Sequence, residues 1–189
     1  MRRWYDPSII PILEANRIPA TFFITGLWAN TYPTVVRQLV RNPLFEIGNH
    51  SFSHASFRAV CYHLPPAADK RAEIANAQAV LTQLAGRPPK LFRFPGGCYS
   101  PDDVRLVWTF GLQVIGWDVA SGDAFATHAQ AIVNQVLRNA QNGSIIVMHL
   151  SDGPNAPKTA SALPAIIRGL RARGFTFVRV STLIAERPR

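Results

Sequence analysis

The sequence predicts an α/β fold built on a parallel sheet, and three observations predict it. Short continuous apolar runs, such as residues 20–24 (ATFFI) and 144–149 (SIIVMH), read as strands covered on both faces. Stretches with helical spacing and capping signals separate those runs. The strand and helix units recur about every 30 residues, the length of a right-handed crossover unit. Six such units fit a (β/α) barrel or a doubly wound sheet. A length of 189 residues with 48% apolar composition suits one domain across 1–189 that needs no metal or disulfide to fold.

The elements follow in order. Asp6-Pro7 signals a helix start, and Ile9, Ile10, Ile12 and Leu13 give a short helix over about 7–16, strained by Pro11. Residues 20–24 form the first strand. A helix over 33–41 carries Val35, Val36, Leu39 and Val40 on one side, and 45–48 is the second strand. The longest helix spans about 66–85, with Ile74, Ala77, Leu81 and Leu84 at helical spacing and Gly86 then Pro88-Pro89 as its stop. Residues 91–93 are a third strand. Ser100-Pro-Asp-Asp103 is a capping box for a helix that ends at Gly111. Residues 113–119 form strand four. Thr127 caps a helix to about 141, 144–149 is strand five, a helix covers about 158–173, and 176–180 is strand six. The chain opens on a helix, so a strand is expected ahead of Met1, or a barrel open at that seam.

The net charge is +9, from 20 basic and 11 acidic residues. Seventeen of the cations are Arg and they are scattered, with local clusters only at Arg2-Arg3 and at Arg168, Arg171 and Arg173. No basic run or recognition module supports nucleic-acid binding. No run of about 18 apolar residues is present to span a membrane. Asp6, Pro7, Pro11 and Glu14 interrupt any signal-peptide core after Met1-Arg2-Arg3. Cys61 and Cys98 read equally as a bonded pair or as two buried thiols.

Chemistry-bearing residues gather just after the strands. Asn49-His50-Ser-Phe-Ser-His54 follows strand two, Arg93-Phe-Pro-Gly-Gly97 stands at the end of strand three, Asp118 lies at the end of strand four with Asp123 after it, and His149 ends strand five with Asp152 beyond it. In parallel α/β folds the carboxyl ends of strands build the active site. Two imidazoles four residues apart can share one ion, although a catalytic zinc takes three protein ligands and water. A carboxylate at Asp123 would fix the tautomer of His149 and fit it as a general acid. Arg93 either bridges strand ends or orients a carboxylate, and the glycines let backbone N–H groups approach an oxyanion. Trp117 and Phe125 read as core.

Taken together these motifs resemble the polysaccharide deacetylases, the NodB-homology domains of carbohydrate esterase family four, over residues 6 to 183. Residues 18–26 (IPATFFITG) look like the family's second strand, 48–54 (GNHSFSH) match its H-[ST]-x-x-H motif, 93–97 (RFPGG) match R-x-P-[GY]-G, and Val147-Met148-His149 sits at its apolar-x-His motif. The resemblance implies a partly open, distorted (β/α)7 barrel. It implies removal of acetyl groups from an N-acetylated polysaccharide, chitin-like or peptidoglycan-like. A divalent ion, zinc foremost, would bind water and the acetyl carbonyl, an Asp base would activate that water, and a His acid would protonate the amine. His50 and His54 are then metal ligands and His149 the acid. Asp123 supports His149, Arg93 orients the base, and Gly96, Gly97, Tyr99 and Val147 face substrate. Secretion or surface display is also implied.

The family's T-F-D-D-G motif, source of the base and third ligand, is absent from this sequence, and its Asp-Trp pair reads Asp123-Ala124. The expectation is a longer native protein whose first strand carries that motif. The alternatives are a pseudoenzyme that binds glycan or cell wall, with +9 docking it on anionic polymer, and a replacement carboxylate from Asp118, Asp152 or Asp6. An O-acetyl esterase acting on acetylated xylan would use the same chemistry.

Overall fold

The computed structural model describes residues 4–151 and 156–186. Arg2, Arg3 and Asp152, singled out above, lie outside the described residues. The chain divides into two compact units, Thr21–Gly116 and Met1–Ala20 with Trp117–Arg189.

The middle unit, Thr21–Gly116, is built on a four-stranded sheet of β1 (Ala20–Ile24), β2 (Phe45–Asn49), β3 (Leu91–Phe92) and β4 (Gln113–Val114), in that spatial order. β2 and β3 run parallel with Asn49 beside Phe92, and β3 and β4 run parallel with Phe92 beside Val114. Its helices are α2 (Gly26–Thr31), α3 (Pro33–Arg41), α4 (Lys70–Ala85) and α5 (Pro101–Trp108). The core is Phe57, Ile74, Phe92, Phe94, Val107 and Leu112. The α5 cap is the one read from sequence: Ser100 Oγ accepts from Asp103 N at 3.3 Å while Asp103 Oδ2 accepts from Ser100 N at 2.8 Å.

Three expectations for this unit change. α2 is an added helix, too short at six residues for apolar repeats to mark it in the sequence; Thr25 Oγ1 caps it, accepting from Trp28 N at 3.2 Å. α4 starts at Lys70 rather than 66, because Asp69 is the residue whose carboxylate caps it through Ala72 N. Strand four breaks after Val114. Ile115 and Gly116 turn their carbonyls to the Arg93 guanidinium instead of continuing a ladder.

The terminal unit holds α1 (Ile9–Ala15), β5 (Val119–Ala120), α6 (Ala129–Asn139), β6 (Ile146–Val147), α7 (Thr159–Ala172) and α8 (Val180–Ala185). β5 and β6 are parallel, with Val119 beside Ile146 and Ala120 beside Val147. α6 and α7 bury Ile132, Val136, Ala162, Ile166 and Leu170 between them. Pro11 is the third residue of α1, where its missing N–H would have no helical partner, so it does not strain the helix. Ser8 rather than Asp6 stands at the α1 cap, and His128 rather than Thr127 at that of α6.

Residues 176–179 form no strand and Val180 opens α8. Phe175 and Phe177 pack on the α6/α7 core from an extended chain, which explains the strand-like pattern. The arginine cluster is structural in part. Arg171 Nη2 donates to Asn16 O at 2.6 Å, and Arg173 Nη2 to Ala140 O at 3.0 Å. Phe125 is 79% exposed rather than core. No helix among the described residues is long and apolar enough to cross a membrane.

Candidate active site

The imidazole pair lies on a loop that leaves the end of β2. Ser51 and His54 both take left-handed backbone (φ 66°), which non-glycine residues hold only when the surroundings enforce it. The enforcing groups are visible. Asn49, fully buried, accepts from Ser51 N at 2.9 Å and donates to Ile74 O and Gln78 Oε1 on α4. Ser51 Oγ accepts from His54 N at 3.1 Å, which is the work of the hydroxyl in this motif. From α4, Glu73 accepts from Phe52 N, Ser53 N and Ser53 Oγ at 3.0, 2.8 and 2.7 Å. Gly26, at the start of α2, packs on the same loop: an added Cβ there would stand 2.3 Å from the Phe52 ring.

This loop sets the rings of His50 and His54 with centroids 4.9 Å apart at 75°. His50 Nδ1 lies 2.7 Å from Arg93 O. A carbonyl only accepts, so Nδ1 carries the proton and Nε2 the lone pair. With metal–nitrogen bonds of about 2.0–2.1 Å, two rings this close can reach one divalent ion, and neutral imidazole suits zinc. The pair offers two donors, where a catalytic zinc takes three protein ligands. Among the described residues no three His, Cys, Asp or Glu side chains gather for a metal.

Two of the carboxylates considered as a third ligand have partners of their own, and Asp152 lies outside the described residues. Asp118 accepts from Ser144 Oγ and Ile145 N, both at 2.6 Å, and Asp6 accepts from Ser8 N at 2.9 Å.

Arg93 is buried beneath this loop. Its Nε donates to Ile115 O at 3.3 Å and Nη2 to Gly116 O at 3.0 Å, and its guanidinium lies 4.1 Å from the centre of the Phe23 ring. Burial pulls its pKa down to about 10, so it stays charged at neutral pH. These two bonds tie Arg93 to the chain that follows β4.

Beyond Arg93 the chain makes a 3₁₀ turn, Pro95–Gly97, closed by Gly97 N donating to Phe94 O at 3.0 Å. Thus the Gly97 N–H serves the turn. Cys61 and Cys98 are bonded as a disulfide across it, with Cα atoms 5.9 Å apart. The bonded alternative is therefore the one the structure holds. Gly96 has φ +63°, and a Cβ there would stand 2.6 Å from Cys61 Sγ. Gly96→Ala is expected to cost about 1–3 kcal/mol through strain and clash together, read as a lowered urea midpoint.

In the terminal unit, Asp123 follows β5 and His149 follows β6. Asp123 is 2% exposed. Its Oδ1 lies 2.8 Å from His149 Nδ1, and its Oδ2 accepts from His149 N and Thr159 Oγ1, both at 2.7 Å. Burial works to raise this carboxyl, but the hydrogen bonds and charge of His149, with Thr159, outweigh it and hold the group below the usual range. The ionised carboxylate only accepts, so His149 Nδ1 donates to it and Nε2 is left as the nitrogen that exchanges a proton. The His149 side chain is half exposed. Val147, two residues earlier, pairs in β6 and accepts from Ser121 N.

The middle unit thus assembles His50, His54 and Arg93, with Gly96, Gly97 and Tyr99 following. The terminal unit assembles Asp123, His149 and Val147. Sequence reasoning missed Glu73 and Thr159. Glu73 reads as an ordinary first-turn carboxylate of α4, and Thr159 as the first residue of α7.

The comparisons agree with these motifs. The family model described as "Polysaccharide deacetylase" matches residues 3–115. The chain is 29% identical over 179 residues to a peptidoglycan-N-acetylglucosamine deacetylase of Bacillus cereus, covering 95% of this chain and 63% of that protein. It therefore spans less than two thirds of that relative's length. It is 32% identical over 182 residues to a chitooligosaccharide deacetylase of Azorhizobium caulinodans, covering 89% of this chain and 83% of that one. The crystal structure of the Bc1960 peptidoglycan N-acetylglucosamine deacetylase superposes with a TM-score of 0.84 at 29% identity, over 94% of this chain and 80% of that one. The α/β, parallel-stranded fold expected of the family's distorted (β/α) barrel is the fold found. With the motifs in place and the family model matched over more than half its length, the chain belongs to the polysaccharide deacetylase family.

Proposed function

We propose that this chain, as one NodB-type domain over 1–189, removes acetyl groups from an N-acetylated polysaccharide of the chitin or peptidoglycan kind. The observation that carries the reading is the Asp123–His149 pair. A buried, ionised carboxylate fixes one ring proton on Nδ1 and orients the ring, which leaves Nε2 as the nitrogen that would carry a proton to a departing amine. His50 and His54 would hold the divalent ion, zinc being the best match to their donors. When bound, such an ion supplies a Lewis acid that polarises the acetyl carbonyl. Arg93 fixes the ring orientation of His50 through its own carbonyl, and Gly96, Gly97, Tyr99 and Val147 are the proposed glycan contacts. The disulfide supports secretion or surface display, since such bonds persist in oxidising compartments.

A second reading has one observation in its favour: among the described residues no third ligand joins the imidazole pair. The chain would then bind glycan without cleaving it. Acetate release from an N-acetylglucosamine tetramer, with zinc added, separates the two. Deacetylation by the parent and its loss in His149→Ala is the expected result. Glycan binding without acetate release would establish the second reading, and acetate release unchanged in His149→Ala would remove the proposed acid.

A further inference from the structure

The loop over residues 55–66 is a closed and anchored structure that the reading above does not use. Ser56 and Pro66 pair at its neck, where Ser56 N donates to Pro65 O and Ala67 N to Ser56 O, both at 2.8 Å. Phe57 plunges into the core, 1% exposed, edge-on to Phe92 and Phe94. Cys61 ties the tip to Cys98. At the tip Val60 is 86% exposed and Tyr62 is 68% exposed on left-handed backbone (φ 52°). Outward aromatic rings on a rigid loop mark binding surfaces, because they give contact area at little entropic cost.

The ring has a defined place. Tyr62 Cδ2 and Leu64 Cδ1 lie 3.3 and 3.2 Å from where a Gly96 Cβ would stand, so the loop tip covers the Pro95–Gly97 turn. That turn begins two residues after Arg93, whose carbonyl holds His50. Past the turn, Tyr99 is 45% exposed and stacks on Phe94 at 4.6 Å. Residues 57–60 of the loop, with Lys70, line a groove of about 350 Å³. That volume is within the range of small-ligand sites, about 300–1,000 Å³.

We propose that this disulfide-clamped loop is one wall of the glycan site, where the Tyr62 ring stacks on an N-acetylhexosamine beyond the one that carries the scissile acetyl group. The ring face of Tyr62 meets the C–H face of the sugar, and Arg58 offers donors to its hydroxyl and acetamide oxygens. The proposal rests on the deacetylase reading and adds to it a chain-length preference set by one residue. Because Tyr62 is exposed, Tyr62→Ala folds as the parent does, which an unchanged melting temperature checks.

The test is calorimetric titration of the disulfide-intact chain with the N-acetylglucosamine tetramer and with the monosaccharide. Tyr62→Ala is expected to weaken tetramer binding about tenfold and to lower the tetramer-over-monosaccharide ratio by the same factor, while Tyr62→Phe keeps both. If the parent binds the tetramer and Tyr62→Ala binds it equally well, the wall is elsewhere and the deacetylase reading stands. If the parent binds no acetylated glycan, both fall together.

Discussion

Asp123→Asn is expected to lower acetate release by about 10²–10⁴-fold, the contribution of a positioned general acid, with the fold kept. The amide retains an oxygen for His149 N and Thr159 Oγ1, which meet Oδ2. It presents an NH₂ where Oδ1 now meets His149 Nδ1. Two donors cannot face one another, so the ring must accept at Nδ1 and place its proton on Nε2. Asp123→Ala does more, since it strands three donors and is expected to cost about 2–4 kcal/mol of stability.

The same network sets a pH dependence. An unfolded aspartate titrates near pH 3.9, and in the folded chain the Asp123 carboxyl lies lower. Its contribution is therefore complete above about pH 5 and is lost as pH falls below about 4 through the folded value. Urea midpoints of the parent should fall over that window more steeply than those of Asp123→Asn.

Breaking the Cys61–Cys98 disulfide is the other large expected change. It closes a loop across 37 residues of sequence, and its loss is expected to cost about 2–4 kcal/mol, chiefly by freeing the unfolded chain. For a chain of this size that is a fall of about 4–16 °C in melting temperature. Thermal melts with and without reductant, beside Cys61→Ser/Cys98→Ser, measure it. Identical midpoints in all three would show that the bond contributes nothing.

Much of the fold was legible because its signals are local. The α5 capping box, the α4 stop at Gly86 and the span of α3 each depend on a few adjacent residues, and each is found. Strand four and strand six misled because apolar alternation reports burial rather than pairing. Phe175 and Phe177 are half-buried against helices without a ladder, and the chain beyond Val114 gives its carbonyls to Arg93. The candidate site was legible as residue types after strands, and the structure adds what spacing cannot carry. Glu73 reaches the imidazole loop from 20 residues away and Thr159 reaches Asp123 from 36, and neither distance leaves a mark in the sequence. The same holds for the disulfide, since two cysteines 37 apart are silent about whether they meet.

The proposed chemistry requires first that the loop after β2 hold a metal on His50 and His54. Zinc titration of the parent chain beside His50→Ala/His54→Ala tests it most directly. One zinc per parent chain is expected, and none in the double variant at the same free zinc concentration. Equal uptake by both chains, or no uptake by the parent, would contradict it.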